Sequence, residues 1–149
     1  MTEIRFYHLQ YQPQAQVLSV ILSKALERGH RIVVKMRDEA EIGQMNDYLW
    51  TFSPDSFLPH GSVRNGQAEM QPIWLTTEDE SPNKADVLIL CQGAYSEKQS
   101  EFALCCEMLD GHDQQAISDA RTRWKTYKDQ GFDVTYWQQG ETGGWEKKA

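Results

Sequence analysis

The densest run of cations in this sequence comes late, where Arg121, Lys125 and Lys128 recur at i, i+4 and i+7. At about 100° per residue on a helix they form a ridge beside the apolar stripe Ile117, Ala120, Trp124 and Tyr127, with Trp124 at the seam. A guanidinium beside an aromatic groove suits a peptide carboxylate joined to an apolar side chain. The competing reading is a solvated basic face with Trp124 in the core. A second set lies between Tyr48 and Pro59, where Tyr48, Trp50, Phe52 and Phe57 share twelve residues with Pro54 and Pro59. Surface loops avoid such large apolar groups, and Trp50 and Phe57 are the kind of side chain that dominates protein–protein contacts. A satellite core beneath a long loop would use the same residues. A third set is Cys91, at the end of an apolar run, with His60 in Leu58-Pro59-His60-Gly61. Together they suggest a thiol mechanism with a general base, yet no basic neighbour depresses the thiol, and buried filler is the bland alternative. The four histidines, His8, His30, His60 and His112, are scattered without ligand-type partners at i+3 or i+4, so no metal site is expected.

The elements that must position these residues form a β-α-β-α opening. Ile4–Tyr7 reads as a strand and Gln14–Glu27 as a largely buried helix ended by Gly29. Arg31–Lys35 is a second strand, and Asp38 can cap a helix running to about Trp50. After a loop-rich stretch, Ile73–Leu75 reads as a short strand and Ala85–Cys91 as one buried on both faces. Phe102–Leu109 is either strand or helix. Asp113–Gln130 has helical spacing closed by Gly131, Phe132–Trp137 alternates as a last strand, and residues 138–149 read as a polar, flexible tail. The expected fold is a single α/β domain over residues 1–149, Rossmann-like and three-layered, with a mostly parallel sheet and helices on both faces.

The first strand leads into His8-Leu9-Gln10-Tyr11-Gln12 without a glycine, so neither a dinucleotide fingerprint nor a phosphate loop is present, and no cofactor is expected. With 15 Lys and Arg against 22 Asp and Glu the formal charge is −7, which disfavours direct DNA coating. The three cysteines cannot all pair, no apolar run approaches the roughly 20 residues of a membrane span, and the first residues lack a signal peptide's pattern. A cytoplasmic, reduced protein is expected.

Phe6-Tyr7-His8-Leu9, the element Leu49-Trp50 through Ser56-Phe57-Leu58-Pro59-His60, and Ala120-Arg121-x-Arg123-Trp124-Lys125-x-Tyr127 through Gly131-Phe132 together resemble the chi subunit family of bacterial DNA polymerase III holoenzyme. The resemblance runs nearly to Trp137. It implies a non-catalytic accessory of the clamp loader, monomeric alone, on a Rossmann-like fold without nucleotide chemistry. It further implies that Arg121, Trp124, Lys125 and Lys128 bind the acidic, phenylalanine-ended tail of single-stranded DNA-binding protein. Trp50, Phe57, Leu58 and Pro59 would face the psi subunit or a helicase-like alternative. Trp124 stands where the best-known member has tyrosine, and Ile117 where it has lysine. The rival reading from another class is a degenerate nucleotide-binding or thiol-dependent α/β enzyme using Cys91 and His60. A third is direct nucleic-acid binding by the basic helix.

Overall fold

The computed structural model describes residues 2–51, 59–62, 66–91, 93–142 and 144–149. The chain opens with β1 (Glu3–Leu9), α1 (Gln14–Glu27), β2 (Ile32–Lys35) and α2 (Glu39–Thr51). Strands β3 (Gly61–Ser62), β4 (Ile73–Thr76), β5 (Val87–Leu90) and β6 (Leu104–Asp110) follow, then α3 (Gln114–Asp129), β7 (Asp133–Gln139) and β8 (Trp145–Lys147). Among the described residues these strands make one sheet in the order β3-β4-β2-β5-β6-β1-β7-β8. Every pairing is parallel except β7–β8.

Side-chain alternation divides the apolar residues between two layers. Ile32, Val34, Ile73, Leu75, Val87 and Ile89 meet α1 and α2 through Leu18, Leu22, Ile42, Met45 and Leu49. Val33, Leu88, Leu90, Ile4, Phe6 and Val134 face the other way, against Ile117, Ala120 and Tyr127 of α3. The expected α/β, three-layer, mostly parallel architecture is therefore the observed one. No helix among the described residues is long and apolar enough to cross a membrane.

The local punctuation also matches its chemistry. Asp38 Oδ1 accepts from the Glu41 amide at 2.9 Å, and Asp113 Oδ1 from Gln115 and Ala116 at 3.0 and 3.2 Å, satisfying first-turn donors of α2 and α3. Gly29 and Gly131 close α1 and α3 at φ +82 and +90, where a side chain would be strained.

Two readings change. The ambiguous stretch before Asp110 is strand β6, buried on both faces between β5 and β1. Residues 138–149, expected as a flexible tail, instead extend β7 to Gln139 and return as the antiparallel strand β8. Trp145 anchors that return by packing edge-on against Tyr7, ring centroids 4.9 Å apart.

Candidate protein-binding groove and partner surface

Helix α3 is fixed to the sheet by a buried polar cluster as well as by its apolar stripe. Glu107, on the inward face of β6, is only 2% exposed. Its Oε1 accepts from Arg123 Nε at 2.8 Å and its Oε2 from the Tyr127 hydroxyl, which itself accepts from Gln99 Nε2 at 3.1 Å. Burial pushes the Glu107 carboxyl upward, opposed by the Arg123 charge and by both hydrogen bonds. One partner removed would leave the other charge or donor poorly compensated, so this cluster holds α3 at a set height and rotation.

That rotation puts Arg121 and Lys125 on the exposed side of α3 and leaves Trp124 half-buried beneath them. With Tyr136 of β7 and His8 of β1 they border a groove of about 530 Å³, closed at its far side by Lys148 and Ala149. The end of the chain is held there by Tyr136, whose backbone oxygen accepts from the Lys148 amide at 2.8 Å and whose amide donates to Ala149 O at 3.2 Å. His8 Nδ1 and the Tyr136 hydroxyl are 2.8 Å apart. Burial lowers the His8 imidazole below its ordinary value of 6.5, and the charges of His112 and Arg121 push it the same way. The Trp124 indole N–H is buried and finds no acceptor among the described residues. Lys128 does not border the groove; its Nζ lies over the Trp124 ring, 5.0 Å from the centroid, in a cation–π contact.

The second predicted surface lies at the other end of the sheet. Trp50, at the close of α2, is 48% exposed and packs against His60 with the rings tilted by 46° at a centroid distance of 4.5 Å. His60 is buried, with Nε2 3.0 Å from Oδ1 of Asn46, one turn before Trp50. Pro59 is half-buried beside it, whereas Phe57 and Leu58 lie outside the described residues.

Placement also answers the thiol reading. Cys91 is 1% exposed and its thiol is pushed up to about 12 by burial. It follows β5, three strand positions from β3, which is roughly 14 Å across the sheet from the strand that His60 precedes. His60 bonds to Asn46 of α2. The two residues are not brought together.

At the place where this architecture would hold a nucleotide's phosphate, the position is taken from within the chain. Helix α1 leaves β1 on one face and α3 leaves the adjacent β6 on the other, so the chain diverges between the carboxyl ends of β1 and β6. There the amides of Gln10, Tyr11 and Gln12 converge, as they would on a phosphate. Their acceptor is internal: Oε1 of Gln139 takes all three, at 3.2, 2.9 and 3.1 Å. Gln139 is 2% exposed, and its Nε2 donates to Gln12 Oε1 at 2.7 Å. The anion position is filled by the chain's own amide.

A family model described as DNA polymerase III chi subunit, HolC, matches residues 1–135. This chain belongs to that family. Among its relatives is a protein of Rickettsia prowazekii named probable DNA polymerase III subunit chi, 30% identical over 90 residues, which are 60% of this chain and 54% of that protein. The DNA polymerase III subunit chi of Pseudomonas aeruginosa is 28% identical over 136 residues, covering 89% and 93%. That of Escherichia coli is 24% identical over 122 residues, covering 80% and 81%.

In this chi-family chain the predicted Arg121, Trp124 and Lys125 do share one groove, and Lys128 supports it from behind Trp124. Sequence reasoning missed His8, Tyr136 and Lys148 at the same groove, and Glu107 and Gln99 beneath α3. For Glu107 a signal existed: a lone carboxylate between Cys106 and Met108 in a buried run demands a cationic partner. Nothing local marked His8 or Tyr136, which meet only because β1 and β7 pair with His8 opposite Gln138.

Proposed function

We propose that this chain is a non-catalytic accessory of the replicative DNA polymerase III, joining it to the acidic carboxy-terminal tail of single-stranded DNA-binding protein. The tail enters the groove between α3 and β7. Arg121 pairs with the terminal α-carboxylate, Trp124 and Tyr136 wall the pocket for the last phenyl ring, and Lys125 with Lys148 attracts the preceding carboxylates. Trp50, with Phe57, Leu58 and Pro59, forms the contact to psi or to a helicase-like alternative. The work is done in the cytoplasm, by protein contacts and without direct DNA binding.

One observation carries the reading: in a chain of formal charge −7, an exposed guanidinium stands at the mouth of a groove walled by two aromatic rings. Membership in the chi family supports the replication role. Arg121 is exposed, so its pair with a carboxylate stays partly solvated and is worth about 1.4 kcal/mol, a tenfold change in affinity. Calorimetry with a phenylalanine-ended acidic peptide should show Arg121→Ala weakening binding about tenfold. Amidating the peptide's carboxyl terminus should weaken the wild type equally and the variant hardly further. Equal affinity of wild type and Arg121→Ala for the free-acid peptide would overturn the assignment.

A further inference from the structure

The face of the sheet opposite α3 is incompletely covered. Eight strands at about 4.8 Å span roughly 34 Å, while two helices of about 10 Å each cover roughly 20 Å. The helices of that face are α1 and α2, and Leu9 and Tyr7 of β1 with Trp145 of β8 pack at the edge of the core they cover. Between α1 and Trp145 lies a groove of about 700 Å³. Its floor is Arg5 and Tyr7 of β1 with Leu104 and Cys106 of β6. Its α1 wall carries Val20, 49% exposed, and half-buried Ile21 and Ala25.

Cations flank this strip on both sides. Lys24 and Arg28 stand one turn apart on the α1 wall, and neither has an ion pair or side-chain hydrogen bond among the described residues. Lys147, opposite Trp137 on β8, stands on the other side. The acids on or beside this groove among the described residues are Glu3, which is bound to Arg5 at 2.6 Å, Asp133 in register with Glu3, and Asp86, paired with His30 of the lining. Because Arg5 is held by Glu3 and Asp86 by His30, the cations Lys24, Arg28 and Lys147 outnumber the remaining acid, Asp133, in a chain with seven excess negative charges.

We infer that this strip is a docking site for an amphipathic α-helix of a partner protein, with an apolar stripe on Tyr7, Trp145 and Val20 and carboxylates on both flanks. Such a helix would lie beside α1 and extend the layer that α1 and α2 begin. A second copy of this chain fits poorly, because a two-fold contact through this face would bring Lys24 and Arg28 against their own equivalents. The inference does not rest on the tail-binding role of α3, which lies on the opposite face.

The test uses a synthetic amphipathic helix as long as α1, with leucines along one face and glutamates on both flanks, and a counterpart with lysines for the glutamates. Amide shifts of the isotope-labelled full chain are followed during titration. The glutamate peptide should shift residues of β1, β8 and the outer face of α1, and bind at least tenfold more tightly than the lysine peptide. Lys24→Glu with Arg28→Glu should invert that preference while leaving the phenylalanine-ended tail peptide's affinity for the α3 groove unchanged, which also shows that the variant is folded. Shifts confined to the α3 groove, equal binding of both peptides, or none at about 1 mM would overturn the inference. So would a concentration-dependent dimer in sedimentation that Val20→Glu abolishes, since that assigns the face to a second copy.

Discussion

Replacing Gln139 by alanine removes one acceptor from three amides at once. The amides of Gln10, Tyr11 and Gln12 all point at Oε1 within 3.2 Å, and the residue is nearly fully buried. Three ordinary hydrogen bonds at about 1 kcal/mol each set an upper figure of about 3 kcal/mol. The crevice between Leu9–Gln14 and Asp110–His112 opens to solvent, so water can re-solvate part of the nest, and about 2 kcal/mol is expected. For a domain of this length that is a fall in Tm of about 4–8 °C, measurable by calorimetry and by the urea midpoint at unchanged slope. Gln139→Glu keeps an acceptor for all three amides and should recover most of the loss at neutral pH. Because three N–H donors favour the ionised form, that variant's carboxylate is held low, and its contribution disappears as pH falls through the folded-state value. Inorganic phosphate should raise the Tm of Gln139→Ala and leave the wild type unmoved, since only the variant exposes the nest. If Gln139→Ala and Gln139→Glu are equally unstable at pH 7, or phosphate stabilises both proteins alike, the idea that a side chain substitutes for the anion is wrong.

His8 is held below 6.5, so between that folded value and 6.5 the unfolded chain binds more protons and stability rises with pH; the His8 contribution is complete above about 6.5 and is lost below it. An anionic peptide in the groove should pull a proton onto His8, so at pH 6 the binding enthalpy should vary with the buffer's ionisation heat, and His8→Phe should abolish that variation. Glu107→Ala should cost about 3 kcal/mol, reduced from a fully buried pair because Arg123 is 30% exposed, while Glu107→Gln should cost markedly less in urea denaturation. Cys91, Cys105 and Cys106 are each at most 1% exposed, and burial raises all three thiols, so a thiol reagent at pH 8 should label the chain only as fast as it unfolds. Rapid native labelling of Cys91 would revive a thiol-based reading.

What the sequence disclosed was mainly local. Gln14–Glu27 carries its period and its closing glycine within itself, and the Ile117–Ala120–Trp124–Tyr127 stripe placed α3 and its outward cations. Residues 104–110 are buried on both faces, so they lack the alternation that separates strand from helix. β8 is short and polar, and exists because β7 offers an edge and Tyr7 a seat for Trp145; neither is visible from residues 145–147 alone. The groove was half legible for the same reason: α3 supplies Arg121, Trp124 and Lys125 within five positions, while His8 and Tyr136 arrive from strands 128 residues apart. Gln139 is an ordinary glutamine by any local criterion, and only the convergence of three amides gives it a role.

The strand order has a mechanical corollary. Trp50 and His60 sit beside β3 and β4, whereas α3 packs on β6 and β7, with β4 and β7 five strand spacings or about 24 Å apart. Tension between loads hung at those two places would run across the strands, along the ladder bonds rather than at right angles to them. Bonds loaded that way peel in succession instead of sharing shear, and the shortest ladder, Gly61 and Ser62 against Trp74 and Leu75, stands at the margin where peeling begins. A molecule so built would yield at its rim before the seat of α3 on β6 and β7 is disturbed.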